Sequence, residues 1–483
     1  MVSKSKKAVA LLLTAMMAVS ALAGCASGGG TTTQTSTTTQ TSTTTQTSNT
    51  TQTSNTATDA SSTEASTTET SKVAAVNLDD PEIIAKIKDQ MAAEAEKTDG
   101  VIKMTLWCSS DDKGFEEGLK KEFEEAYADT RYSFKIKVSP IGEDKAGGKI
   151  LEGPKDGADV FSFADDQLSS LVEAGAISEV AQLFNSNVVN ENSEKAVEVC
   201  TVNGKSYAFP KTSDNGYFLY YDKTVLSEED VATFDGIIEK SNAAGKAFFF
   251  PLSNPWYNAG FFFTAGCTIE YKNGEQTATF NTDEGLAAVK AMCHIAEKVG
   301  QGYEGDAGSA GENAYIAQGF KDGKLSAAVT GTWNGPAIKE AIGADNVGAA
   351  KLPTVLINGE QKQLDSFGGY KLIGVNAYSA YPITAQALAY YLGKSDSQVK
   401  RYNVRGLIPT ATAALDVEAI HNDVARIAID AQAPYSHAQG QSVGGKYWGA
   451  GVGDYGGNIL NKKGQLTDEE IKADLVKIEA KMH

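Results

Sequence analysis

Three tryptophans lie beside small or polar residues at predicted junctions between strands and helices. They occur in the segments Asn254-Pro255-Trp256-Tyr257, Gly331-Thr332-Trp333-Asn334 and Lys446-Tyr447-Trp448-Gly449. A pyranose ring has C–H groups on its faces and hydroxyls at its rim, so a sugar site needs aromatic platforms beside carboxylates and amides. The junctions therefore predict a carbohydrate site. The fourth tryptophan, Trp107, ends an apolar run and is assigned mainly to packing.

Polar pairs at other strand or loop ends could complete such a site. These pairs are Asp112 with Lys113, Asp165 with Asp166, and Asp214 with Asn215. Each pair could instead be a helix cap or a surface charge, because short polar side chains are favoured at helix N-termini.

Other kinds of chemistry have little support. The four histidines are scattered in no catalytic spacing, and they are His294, His421, His437 and His483. No Cys-x-x-Cys or mixed Cys/His spacing indicates zinc. We predict no catalytic residue, no metal and no cofactor. The formal charge of −18 argues against a nucleic acid or anionic lipid as partner.

The elements that would position these residues alternate between strand and helix. Val101 to Trp107 is an apolar strand, Lys113 to Tyr127 has helical periodicity, and Tyr132 to Val138 alternates as a strand. Ala158 to Phe163 is a further strand that leads into a helix. This order predicts an α/β fold with doubly wound sheets and ligands at the carboxyl ends of the strands.

Later segments continue the alternation. The predicted strands are Ser206 to Phe209, Tyr217 to Tyr221, Ala247 to Phe250, Leu325 to Thr330, Val347 to Leu352 and Tyr370 to Val375. The predicted helices are Thr282 to Val299, Ala310 to Lys321, Pro382 to Leu392, Asp416 to Gln432, Tyr447 to Leu460 and Thr467 to Lys481. The tail is therefore expected to be helical throughout.

The first residues predict a secreted and anchored protein. Lys4, Lys6 and Lys7 precede a short apolar run that closes with Leu22-Ala23-Gly24-Cys25, which resembles a bacterial lipobox. Residues 1–24 would be a signal peptide, and Cys25 would carry lipid that anchors the chain at the outer face of the cell membrane. The alternative is an ordinary secreted protein with an incidental cysteine.

Residues 25–72 are rich in threonine, serine and glutamine and repeat the hexad Thr-Thr-Thr-Gln-Thr-Ser. Such a tract cannot form a core, so we expect a disordered tether. Residues 73–99 read as a peripheral lead-in helix, and the remaining chain is long enough for two lobes. The remaining cysteines, Cys108, Cys200, Cys267 and Cys293, are expected to be buried free thiols rather than disulfides.

Residues 100 to 480 resemble the periplasmic solute-binding proteins of ABC importers, in particular the maltodextrin-binding group. The resemblance is carried by an ordered series of short motifs. Among them are Asp112-Lys113-Gly114-Phe115, Ala158-Asp159-Val160-Phe161, Tyr207-Ala208-Phe209-Pro210, Asn254-Pro255-Trp256, Gly331-Thr332-Trp333 and Arg405-Gly406-Leu407-Ile408-Pro409. It implies a two-lobed periplasmic-binding-protein-like fold with an interlobe cleft and a hinge. It also places lobe 1 at 100–212 and 367–410, and lobe 2 at 213–366 and 411–483.

The resemblance also implies a set of sugar contacts. Trp256, Trp333 and Trp448 match the stacking positions, and Phe163 falls where the family often has another aromatic residue. The polar contacts correspond to Asp112, Lys113, Asp166 and Asp214, and the Asn254 junction adds Asn254 and Tyr257. This sequence departs from the maltodextrin binder at Gln167, at Asn254 and in the glycine-rich segment Gly444 to Gly457.

The function implied is capture of malto-oligosaccharides in the cleft by a monomer that delivers them to an ABC transporter permease. Two alternatives remain open. A cell-surface glycoside hydrolase would use the same pairing of aromatic residues and carboxylates, with two carboxyl groups about 5–10 Å apart. A static starch-adhesion module would bind sugar without a change of shape.

Overall fold

The computed structural model describes residues 75–272, 274–299 and 308–483, and this part of the chain is built around two separate sheets. We call the part built on the five-stranded sheet the first lobe and the part built on the four-stranded sheet the second lobe. The predicted signal peptide, Cys25 and the tether lie outside the described residues.

The first-lobe sheet contains strands in the order Ser133–Pro140, Val101–Cys108, Val160–Ala164, Lys371–Val375 and Ala208–Thr212. The first three run parallel, and Lys371–Val375 runs antiparallel to both of its neighbours. Every residue of Val160–Ala164 is buried. Apart from Ser162 the strand is apolar, as expected where both faces of a sheet are covered.

The second-lobe sheet contains strands in the order Val347–Ala350, Phe218–Asp222, Leu325–Thr330 and Ala247–Phe249. Phe218–Asp222 runs antiparallel to its neighbours, and the last two strands are parallel. Two-stranded ladders are formed by Thr201–Val202 with Lys205–Ser206, Ile269–Lys272 with Glu275–Ala278, Thr354–Ile357 with Glu360–Gln363, and Ser366–Gly368 with Ser436–Ala438.

Helices cover both sheets. Before the second lobe begins they are Pro81–Ala95, Lys113–Ala126, Glu143–Glu152, Leu168–Glu173, Gln182–Glu191 and Glu194–Val199. Those that follow are Phe234–Ala243, Pro255–Ala265, Asp283–Lys298, Gly308–Lys321, Gly335–Ile342, Pro382–Gly393, Ser395–Arg405, Thr412–Leu415, Glu418–His421, Val424–Gln432, Gln439–Ser442, Gly445–Gly449, Val452–Asn461 and Asp468–Ala480. The predicted α/β alternation and the principal strands are confirmed.

The helix expected to be a peripheral lead-in belongs to the first-lobe core. Ile87 and Met91 of Pro81–Ala95 are fully buried in a cluster that also contains residues of the sheet. Glu94 accepts hydrogen bonds from the backbone N–H groups of Ile383 and Thr384 at 2.7 and 3.1 Å, at the start of helix Pro382–Gly393. The helix therefore stabilises the lobe through apolar packing, and its Glu94 caps the start of helix Pro382–Gly393.

The tail is not helical throughout, contrary to expectation. Ser436–Ala438 is a short strand, parallel to Ser366–Gly368. The segment predicted as one helix from Tyr447 to Leu460 is divided at Gly451, whose φ of +89° an L side chain rarely adopts. Asp423 divides the earlier helix, because its carboxylate accepts from the N–H of Ala425 at 2.7 Å and begins a new helix.

The chain crosses between the lobes at three places, and the crossings are hydrogen-bonded to one another. Ser213 N–H donates to the Ile408 carbonyl at 2.9 Å, and Asn215 N–H donates to the Gly369 carbonyl at 3.2 Å. The Ile408 N–H in turn donates to Asp214 Oδ2 at 2.9 Å. A few residues in three adjacent segments therefore connect the lobes, as in a hinge.

The four cysteines of the described chain are buried free thiols, which confirms the preference over disulfides. Of the helices described here, none has the length and apolar character needed to cross a bilayer.

Candidate functional site

Two of the tryptophans that the sequence singles out lie next to each other in the second lobe. The ring centroids of Trp256 and Trp333 are 5.9 Å apart and their planes are inclined by 41°. Both side chains are partly exposed. Residues far apart in the chain thus form one aromatic surface, which we call the indole platform.

Trp256 is positioned by a helix start. Asn254 is the N-cap of Pro255–Ala265, its Oδ1 accepts from Trp256 N–H at 3.0 Å, and Pro255 begins the helix. Proline is favoured at this position because it lacks an N–H that would need a partner. Asn254 Nδ2 donates to Glu312 Oε2 at 3.1 Å, which ties the junction to a neighbouring helix.

Trp333 lies in a short 3-10 turn, Thr332–Asn334, between the strand Leu325–Thr330 and the helix Gly335–Ile342. Its Nε1 donates to Asn313 Oδ1 at 3.0 Å. Asn334 Nδ2 donates to the same Asn313 oxygen at 3.0 Å, so the turn is fixed on both sides of the ring.

The first lobe reaches the indole platform through Lys371. Its Nζ lies 5.1 Å from the centre of the Trp333 ring, a distance at which a cation is attracted to an aromatic face. Lys371 Nζ is also 3.7 Å from Glu143 Oε2. The platform is therefore faced by a charged pair from the opposite lobe.

Gln439 provides a second connection between the lobes. Its Oε1 accepts from Trp256 Nε1 at 2.8 Å, and its side chain also faces the Asp166 carboxyl of the first lobe. The next residue, Gly440, approaches so closely that a Cβ there would lie 3.2 Å from Asp166 Cα. The two lobes are thus in direct contact beside Trp256.

Trp448 lies at the margin of this region. Its side chain is 37% exposed and its ring contacts Tyr447 at a centroid distance of 5.1 Å. The Tyr447 hydroxyl donates to the Pro255 carbonyl at 2.8 Å, which places the segment beside the start of the Trp256 helix.

Asp112 belongs to a buried ionic cluster in the first lobe. Only 1% of the residue is exposed, and its carboxylate accepts from Lys211 Nζ at 3.1 Å and from Arg405 Nε at 2.9 Å. Lys211 Nζ also donates to Glu143 Oε1 at 2.8 Å. Burial opposes ionisation of Asp112, but the charge of Lys211 and the bond from Arg405 outweigh it and hold the pKa below its usual range.

The other residues predicted to bind sugar have varied surroundings. Lys113 is partly exposed and forms a 3.6 Å ion pair with Glu117. Phe163 is fully buried in the first-lobe core. Tyr257 is buried in the second-lobe core, and Asp214 is buried and accepts from the Thr332 hydroxyl at 2.5 Å. Asp214 therefore joins the Trp333 turn to the hinge.

Sequence reasoning missed the two residues that connect the lobes at the platform. Lys371 begins a strand, and the polar start of an otherwise apolar run was the available signal. Gln439 gave no signal, because its contact with Trp256 joins positions 183 residues apart. In the parts of the chain that are described, no three His, Cys, Asp or Glu side chains are grouped to hold a metal ion.

Comparison with known proteins gives consistent matches. A family model described as bacterial extracellular solute-binding protein matches residues 118–428. The galactooligosaccharide-binding protein of Bacillus subtilis (strain 168) is 27% identical over 296 residues, which cover 59% of this chain and 68% of that protein. The maltodextrin-binding protein MdxE of the same organism is 26% identical over 329 residues, 66% of this chain and 75% of that protein.

A solved structure of a protein with acarbose has 30% sequence identity to this chain and a TM-score of 0.69. The match covers 79% of this chain and 99% of that one. The maltodextrin binding protein MalE1 from L. casei BL23 matches with 24% sequence identity and a TM-score of 0.62, over 79% of this chain and 99% of that one, so the chain has the two-lobed fold of maltose-binding-protein-type structures.

Proposed function

Because the chain belongs to the bacterial extracellular solute-binding protein family, we propose that it captures a linear malto-oligosaccharide between its lobes and delivers it to an ABC importer. The observation that carries the proposal is the indole platform, in which Trp256 and Trp333 lie 5.9 Å apart opposite Lys371 of the other lobe. Apolar faces of glucosyl units would stack on the indoles while polar groups of both lobes bind the hydroxyls.

The inclination of the two rings favours an α-linked chain. Successive glucosyl units of an α-1,4 chain are tilted relative to one another, whereas those of a β-1,4 chain form a nearly flat ribbon. Indole planes that meet at 41° suit the tilted chain better. The curated relative that binds maltodextrin supports the same choice, and the relative that binds galacto-oligosaccharides makes these sugars the second candidate.

Closure would follow from the different contacts of the two states. In an open form only the second lobe would contact the sugar through its indoles, and in a closed form Lys371 and Glu143 would be added. A ligand shifts such an equilibrium by the difference between its affinities for the two forms. A micromolar dissociation constant corresponds to about −8 kcal/mol, which two stacked rings and several hydrogen bonds can supply after ordering costs.

Calorimetric titration with a panel of sugars tests the ligand. We expect maltotriose and longer maltodextrins to bind with micromolar dissociation constants, and xylotriose to give no heat of binding. Tighter binding of β-1,4-galactotriose than of maltotriose would identify galacto-oligosaccharides as the ligand instead. An absence of heat with every glucan would overturn the proposal.

The proposed location rests on the sequence Leu22-Ala23-Gly24-Cys25. Lipid on Cys25 would hold the protein at the outer face of the cell membrane, where a closed, loaded form can meet a permease. We expect labelled fatty acid to be incorporated into the parent protein in the native host and not into Cys25→Ser. A parent protein without label would contradict the anchor without affecting the sugar site.

A further inference from the structure

Two consecutive carboxyl groups lie where the lobes touch, and the sugar platform does not use both. Asp165 and Asp166 follow the first-lobe strand Val160–Ala164 in a short 3-10 turn. The second lobe covers this turn, since a Cβ on Gly440 would lie 3.2 Å from Asp166 Cα and 3.6 Å from the Asp165 carbonyl oxygen.

The carboxyl pair is only partly compensated: Gln439 and Gln167 face the Asp166 carboxyl and backbone N–H groups face Asp165, but one oxygen of each carboxyl group has no partner among the described residues. Although both residues are only partly buried, the Oδ1 atoms of Asp165 and Asp166 are inaccessible to solvent, and neither has a hydrogen-bond partner within the described ranges. An ionised oxygen that is buried without a donor is costly, whereas a protonated carboxyl is much less so.

Charged and titratable groups near the pair do not supply a free cation. The groups that face the pair directly are Asp144, Cys200 and Tyr370. Lys195, Arg426 and Asp430 line a cavity of about 370 Å³ that Asp165 also lines. Asp144 is acidic, and burial raises the pKa values of both the Cys200 thiol and the Tyr370 hydroxyl. Lys195 pairs with Glu198 at 2.8 Å, and Arg426 lies 3.6 Å from Asp430.

The cavity shows that the surroundings of Asp165 depend on the hinge. Its walls include Ser213, Gly369 and Pro409, one from each crossing between the lobes, together with residues of both lobes. Rotation about the hinge would therefore change the solvent exposure of Asp165, which lines this cavity.

We propose that closing the lobes makes the Asp165–Asp166 pair take up protons, so that the protein holds its sugar more tightly as the pH falls. This inference rests on the proposed closure around a sugar. It adds a regulatory property to the sugar site. The carboxyl pair is linked to that site through Gln439, which contacts both Asp166 and the platform residue Trp256.

The direction follows from proton linkage. With the lobes in contact as they are here, burial and the neighbouring Asp166 charge raise the pKa of Asp165 to about 8, and burial raises the pKa of Asp166 to about 6. In an open form water would reach both carboxyls and lower the pKa values toward the ordinary value of about 4. The closed form then binds more protons between about pH 4 and pH 8, so lowering the pH across this window favours closing.

Calorimetry with maltotriose tests the inference on the full mature chain. We expect affinity to rise at least about tenfold from pH 8.5 to pH 5.5. Paired titrations at pH 7 in two buffers of different ionisation enthalpy should show net proton uptake. Affinity that is independent of pH, with no proton uptake, would overturn the inference.

Variants identify the responsible groups. Asparagine resembles the neutral acid, so Asp165→Asn with Asp166→Asn should bind about equally tightly at both pH values and take up no protons. The exposed Asp345→Asn should keep the full dependence of the parent. Persistence of that dependence in the double variant would overturn the assignment to this pair.

A measurement without sugar separates this inference from the proposed ligand. The radius of gyration of the free protein, from small-angle scattering, should be smaller at pH 5.5 than at pH 8.5, and the double variant should show no difference. Failure of every sugar to bind would refute the proposed ligand alone. An equal radius of the free parent protein at both pH values would refute proton-driven closing.

Discussion

The ionic cluster around Asp112 in the first lobe and the indole platform of the second lobe both contain residues that the sequence suggested for sugar binding, yet their surroundings differ. Asp112 and Lys211 are almost completely buried and neutralise each other, whereas Trp256 and Trp333 keep exposed ring surface. A buried ion pair whose members satisfy each other has little capacity left for a ligand. An exposed aromatic face has that capacity, so Asp112 and Lys211 mainly maintain the fold, whereas the indole platform mainly binds.

The largest expected effect that follows from this comparison is the loss of stability on removing Lys211. Lys211→Met would leave the carboxylates of Asp112 and Glu143 buried beside each other without their shared cation. We expect the free energy of unfolding to fall by about 3–5 kcal/mol in denaturant titrations. Lys113→Met, at a largely solvated ion pair in the same lobe, should change the free energy of unfolding by no more than about 0.5 kcal/mol. If Lys211→Met were as stable as the parent, the ionic cluster could not be assigned to maintaining the fold.

The next effect concerns affinity with little change in stability. Trp333→Ala removes one face of the platform and the ring under Lys371, so the dissociation constant for maltotriose should rise at least about tenfold. The melting temperature should change little, because the ring is partly exposed. Trp333→Phe should recover most of the affinity, and an unchanged titration with Trp333→Ala would exclude this ring from the site.

The smallest expected change in affinity tests whether Trp448 extends the indole platform for longer sugars. Trp448 contacts Tyr447 at the margin, so Trp448→Ala should weaken maltoheptaose binding about two- to threefold, as expected for a partly used stacking contact. Binding of maltose should not change. A loss with maltose as large as that of Trp333→Ala would place Trp448 at the centre of the site.

Local sequence was sufficient for much of the fold and for part of the candidate site. Apolar runs predicted the strands, and the Asn254-Pro255-Trp256 and Thr332-Trp333-Asn334 patterns predicted junctions that position aromatic rings. Whether a residue at a strand end is free or paired was not predictable, because the partner of Asp112 is Lys211, 99 positions away.

The sequence also did not show which aromatic residues are buried in the core and which face the ligand. Phe163 lies in a segment whose pattern fits either a core residue or a platform residue, and only packing against Phe161 at 5.3 Å shows that it belongs to the core. The contact between Gln439 and Trp256 depends on how the lobes approach each other, which is a property of the whole fold. Such contacts have no signature in a short window of sequence.

The crystal structure of the complex with maltotetraose is the most direct test of the central claim that the indole platform binds a glucan between two lobes. We expect glucosyl rings stacked on Trp256 and Trp333, with Lys371 or Glu143 of the first lobe bound to the hydroxyls of the same chain. A sugar bound away from both indoles, or held by one lobe alone in a closed molecule, would contradict it.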